Sequence, residues 1–159
     1  MKIGYRNPTL PEFSHQWTVF QERSKEMLEQ LHHFGFQMDD IRWERLSKVG
    51  TYKFCARYIN ANRIISLSLI TNKYQDGAVS MLVYPRSSTK RKFINIYKYL
   101  RKNFGMVNRK SLFLSRYHGD FSERLQKVFY SYARFSQFYF QSILQGILWE
   151  ENSEEEEKY

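Results

Sequence analysis

Cysteine is almost missing from these 159 residues: Cys55 stands alone, so neither an internal disulfide nor a CxxC pair can form. A reduced, cytoplasmic setting is the simplest expectation from that. Proline and glycine are scarce too, at 3 and 7 residues, while aromatics reach 18 %. Disordered chains show the reverse balance, so a packed core is expected. No run approaches the roughly 18 apolar residues of a spanning helix. The opening "MKIGYRNPTLPEF" lacks the apolar stretch of a secretory signal. There is no Walker loop and no GxGxxG. Nor is any helix-turn-helix, zinc-finger, RRM or KH pattern recognisable.

The most informative absence is of negative charge. Between Arg86 and Arg116 stand ten Lys or Arg and no Asp or Glu. Up to Trp149 the chain holds 24 basic and 10 acidic residues, a net +14. A body this basic attracts polyanions, and nucleic acid, DNA or RNA, is the expected partner. The residues placed on phosphates are Arg86, Lys90, Arg91, Lys92, Lys98, Arg101, Lys102, Arg109 and Lys110, with Tyr97 and Tyr99 offering stacking or hydroxyl contacts. The competing reading is the wet side of an ordinary amphipathic helix, and the two weigh equally. Six glutamates then crowd the last ten residues, opposed only by Lys158. A single domain over 1–149 followed by an acidic, disordered, solubilising tail over 150–159 is the first expectation. A tethered competitor for the basic surface is the second.

Periodicity points to an α+β fold. Thr9 as N-cap, Pro11 in the first turn and Glu12 reaching back form a capping box. Phe13, Trp17, Phe20, Met27, Leu28, Leu31 and Phe34 then recur at helical spacing, with Ser24 filling one step and Gly35 suited to the left-handed end. From Ile41 the period falls to two. "IRWERLSKV" is a weak first strand, "TYKFCARYI" and "RIISLSLIT" alternate, and "AVSMLVY" is apolar on both faces. With "NAN" and "NKYQDG" as turns, these make a four-stranded antiparallel meander. Two C-terminal helices follow, all helices packing on one face of the sheet. The first takes its cap from Ser87, Ser88 or Thr89 and turns Phe93, Ile96, Tyr97, Leu100 and Phe104 inward, with Arg91, Asn95, Lys98 and Lys102 on the opposite pole. "SLFLSRY" reads as a short strand. Asp120 caps the last helix, whose stripe is Phe121, Leu125, Val128, Tyr132, Phe135, Tyr139 and Ile143.

Residues 135–149 carry no charge and are apolar almost all round, as in a helix that needs a partner. Phe138, Phe140, Leu144, Ile147 and Leu148 are therefore expected to form a homodimer interface. The alternative is that the first helix covers them with Trp17 and Phe20. A protein-interaction or regulatory adaptor working through 135–149 is the second functional reading.

Chemistry is thinly represented. His32 and His33 are adjacent and diverge on a helix, so with Glu29 they make a poor metal site. His15 and His118 are isolated. Cys55 points away from Tyr52, Phe54 and Ala56 and reads as structural. Asp39, Asp40 and Glu44 could hold Mg²⁺ for a nuclease, but two adjacent Asp after a helix suit a turn, and this reading ranks last. No catalytic residue, metal or cofactor is expected, and the reading is a non-enzymatic, nucleic-acid-associated protein.

Overall fold

The first helix, α1, runs Pro11–Leu31 and buries one stripe, with Phe13, Trp17, Phe20, Ser24, Met27 and Leu31 three or four residues apart. A 3₁₀ turn, His32–Phe34, tightens its end, and Gly35 at φ 82° closes it by donating its N–H to the His32 carbonyl. A left-handed residue here favours glycine because no Cβ opposes the following carbonyl. The computed structural model describes residues 11–46, 50–72, 75–86, 92–105, 109–139, 141–147, 149 and 154–155. The Thr9 cap lies outside them.

An antiparallel sheet follows in chain order: β1 Gln37–Arg45, β2 Tyr52–Ile59, β3 Arg63–Asn72, β4 Gln75–Pro85 and β5 Lys92–Asn95. A two-residue strand, β6 Glu154–Glu155, pairs outside β5. Register puts one apolar set on one face. Phe54 lies opposite Leu69, Ala56 opposite Leu67, and Tyr58 opposite Ile65. Leu67 and Ile65 in turn meet Met81 and Val83 of β4. All are buried, and a fully buried side chain of this size contributes about 2 kcal/mol. The alternate residues Lys53, Cys55, Arg57, Ser66 and Ser80 are only half-buried and form the other face. Among the described residues three further helical segments follow: α2 Ile96–Phe104, α3 Phe121–Tyr139 and α4 Gln141–Leu144. α1 and α3 meet through Phe20 and Phe129, edge to face at 6.0 Å. Tyr58 donates to the Ser24 carbonyl of α1, and Tyr132 of α3 to the Val79 carbonyl of β4. These bonds tie both long helices to the apolar face. The expected α+β class, N-terminal helix, antiparallel meander and C-terminal helices are all present.

Four details differ from the sequence reading. A fifth meander strand, β5, occupies the start of the expected helix at 90–104. Ile94 is buried opposite Val83, and the Asn95 side chain accepts from the Lys98 amide, so the helix begins only at Ile96. The candidate caps Ser87, Ser88 and Thr89 lie outside the described residues. β1 starts at Gln37 and takes in Asp39 and Asp40, whose partly exposed carboxylates pair with Arg57 and Arg42. "SLFLSRY" is 3₁₀ rather than strand, in the turns Arg109–Leu112 and Leu114–Arg116. The expected final helix, described over Phe121–Tyr139 and Gln141–Leu144, gives way to a turn at Gln145 instead of running on to 149, and Ile143 and Leu144 are buried. Its last carbonyls are taken from far away: Arg63 Nε donates to Ile143 at 2.8 Å, Asn60 Nδ2 to Leu144 at 2.9 Å and Asn62 Nδ2 to Gln145 at 3.3 Å. The last carbonyls of a helix lack intrahelical partners; Ile143 also accepts from the Gly146 N–H at 3.1 Å, and the turn between β2 and β3 together with Arg63 adds a side-chain donor to each of the three.

Candidate functional site

The basic segment is split between two elements. Ile96 and Leu100 fix α2 on the core, and Tyr97 and Tyr99 pack half-buried beside them. The remaining positions Lys98, Arg101 and Lys102 are exposed, and their spacing of three and four puts them on one face of α2. Asn95, expected on the same pole, is instead the N-cap. Lys92 is half-buried in β5. Arg86 is exposed at the end of β4, yet its guanidinium turns back to donate to the Asn60 carbonyl at 2.8 Å. Arg109 and Lys110 lie in the backbone of a 3₁₀ turn, with side chains outside the described residues. Lys90 and Arg91 lie outside them altogether.

A row of rings borders the α2 cations. Tyr99 and Phe104 stand 6.1 Å apart, Phe104 and Tyr139 4.6 Å, and Tyr139 and Phe135 5.9 Å. The stripe reading sends Phe104 inward, but Phe104 is 37 % and Tyr139 38 % exposed. Both rings therefore reach the surface, Phe104 one turn beyond Arg101 on α2. The sequence reading puts Tyr139 on the inner stripe, and its contact with Phe104 is made only in the folded chain. On the outer face of α3, Arg134 stacks over Tyr130 and Phe138 at 5.7 and 5.3 Å.

The expected dimer residues separate. Phe138 is 68 % and Ile147 76 % exposed, but Leu144 is fully buried in the chain's own core. Leu144 therefore belongs to the intrachain core and not to an exposed interface as expected. Phe140 and Leu148 lie outside the described residues. Trp17 and Phe20 are buried, Phe20 against Phe129 of α3, which precedes 135–149, and Phe138 and Ile147 stay uncovered.

Burial works on a second cluster. Arg63 is buried under the α4 carbonyls, with its guanidinium 5.0 Å above the Trp149 ring. Desolvation lowers its pKa from the ordinary value. Burial likewise raises the Tyr58 and Tyr132 phenols above their ordinary value. Each donates to one backbone carbonyl, so these are packing groups. The nearby thiol of Cys55 lies 3.3 Å from Ser66 Oγ on the other sheet face. Among the described residues no three His, Cys, Asp or Glu come together as metal ligands, and no helix is long and apolar enough to cross a membrane. A cleft between α1 and α3, bordered by Arg23, Glu26, Met27 and Phe129, holds about 100 Å³, below the roughly 300 Å³ of a small-molecule site. No protein-family model, curated protein or solved structure matches this chain.

Proposed function

We propose that this protein binds nucleic acid, without catalytic turnover, through the β5–α2 edge. The observation that carries the reading is the run of ten cations without an acid between Arg86 and Arg116, from which Lys98, Arg101 and Lys102 stand exposed on one face of α2. Phosphates displace counterions at such a face, and binding weakens as salt rises. The exposed rings of Phe104 and Tyr139 at the end of α2 favour a single strand, whose bases are free to stack on aromatic side chains. In a duplex the same bases are already stacked on one another.

The test is binding of a short single-stranded oligonucleotide across a salt series, for the full chain and for Lys98→Ala, Arg101→Ala and Lys102→Ala combined. Three lost phosphate contacts reduce the slope of log K against log salt by about 2 on a single strand. Stability stays within about 0.5 kcal/mol, because the three side chains are exposed. An unchanged slope, or no binding by the full chain at low salt, refutes the reading.

The exposure of Phe138 and Ile147 favours a second reading, a protein-interaction surface or homodimer at the end of α3 and α4. Light scattering decides the homodimer: a dimer that Phe138→Glu with Ile147→Glu converts to a folded monomer supports it, and a monomeric full chain refutes it.

A further inference from the structure

β5 has two sides and uses them with different partners. Asn95 and Ile94 pair with Leu82 and Val83 of β4. Lys92 and Phe93 pair with Glu155 and Glu154 of β6. The acidic segment therefore returns to the sheet, and it does so at the basic end of β5. An open strand edge presents unpaired amides and carbonyls that accept any extended chain, so hydrogen bonding alone does not choose between the two sheet edges. Charge does. β1, the opposite edge, pairs Asp40 with Arg42 and Asp39 with Arg57 and so offers an acidic strand little net attraction, whereas the β5 side has ten cations and no acid from Arg86 to Arg116.

We propose that the acidic segment around Glu154–Glu155 is the resident occupant of the β5 edge and competes there with nucleic acid. The proposal rests on the nucleic-acid reading above. Two paired residues hold weakly, because even an isolated two-stranded hairpin is marginal in water. Few residues separate β6 from Trp149, so the segment stays at high effective concentration. The occupant is thus held by its tether and its charge, and a polyanion offering more negative charge displaces it. Its grip is electrostatic, so salt loosens it. Apparent affinity for nucleic acid is reduced by the fraction of molecules in which the edge is open. If the strand is docked nine-tenths of the time, its removal tightens binding about tenfold.

Docking is read without nucleic acid. Directly opposed residues of an antiparallel pair have Cα atoms about 4.5–5.5 Å apart, within reach of a disulfide. In a Cys55→Ser background, Lys92→Cys with Glu155→Cys should form a bridge under mild oxidation. Lys92→Cys with Glu154→Cys should form far less, because successive strand residues face opposite ways. Equal bridging in both pairs overturns the docking.

Competition is read by oligonucleotide binding. The first of these double variants, Lys92→Cys with Glu155→Cys, should bind more weakly when oxidised than when reduced. Deletion of 150–159 should tighten binding about tenfold at low salt, with the gain fading as salt rises. Glu155→Pro with Asn152→Glu keeps six acids but removes an amide donor; it should resemble the deletion if the paired strand matters, and the unaltered chain if only net charge does. Binding by the full and shortened chains with equal affinity overturns the competitor and leaves the nucleic-acid reading standing. No binding by either overturns that reading and the competition with it, while the bridging result still decides the docking.

Discussion

The two edges of the sheet solve one problem in opposite ways. β1 spans nine residues and mixes its own signs: Asp40 pairs with Arg42, and Asp39 lies 3.8 Å from Arg57 of β2. A bulge between Met38 and Asp40 further disrupts its ladder. Charges and bulges of this kind discourage another strand from adding on. β5 is only four residues long, and Lys92 is its one charged residue. Its outer side is covered by an acidic strand from the far end of the sequence. An edge that neutralises itself needs no partner. An edge that is cationic over its whole neighbourhood attracts one, and which anion sits there becomes a question of competition.

The largest test reaches the core behind both edges. Tyr58 anchors α1 to β2, on the β1 side, and Tyr132 anchors α3 to β4, on the β5 side. Burial raises both phenols, so each keeps its proton longer folded than unfolded. Their contribution is complete below the unfolded value near pH 10 and is lost as pH climbs through the raised folded values. Two such groups lower stability by up to about 2.7 kcal/mol per pH unit. Denaturant unfolding between pH 9 and 11 (about one unit either side of the free phenol) measures this. Tyr58→Phe and Tyr132→Phe should each remove about half the slope, and an unchanged slope in either rejects its role.

The next test asks whether β5 belongs to the sheet. Ile94 is buried opposite Val83, while Phe93 is half-buried against Tyr84 at 5.9 Å. Ile94→Ala should destabilise by about 3 kcal/mol and Phe93→Ala by about 1 kcal/mol. The reverse order is what a helix through 93 and 94 would produce.

The smallest effect belongs to the self-neutralised edge. A double-mutant cycle on Asp40→Ala and Arg42→Ala should give a coupling of about 0.5 kcal/mol or less, shrinking in high salt. Neither change should alter the salt slope of oligonucleotide binding. A changed slope would mean that the two edges share one binding surface.

Much of this architecture is legible residue by residue. The alternation in "TYKFCARYI" and "RIISLSLIT" matches the buried faces of β2 and β3. Asp120 does cap α3, accepting from the Glu123 amide at 2.8 Å. The α2 face of Lys98, Arg101 and Lys102 follows from spacing alone. The start of α2 carries two conflicting signals. Phe93, Ile96, Tyr97, Leu100 and Phe104 fit a helical stripe, yet Asn95 is a preferred N-cap residue and Ile94 a β-branched one. Periodicity alone favours the stripe, and the local cap sets the observed boundary.

Sequence by itself determined the period of each long element, which of its sides is apolar, and where the charge imbalance lies. Those properties reside in neighbouring residues and need no partner. Tertiary structure decided where elements stop and what meets what. The end of the final helix meets Asn60, Asn62 and Arg63, some 80 positions earlier, which donate to the carbonyls of 143–145. Residues 92–95 are a strand because β4 offers an edge on which Ile94 is buried opposite Val83. Phe104 meets Tyr139, and Glu155 meets Lys92, only once the sheet and helices are assembled. A hydrogen-bond donor or a countercharge acts through space, and its distance along the chain leaves no trace in local periodicity.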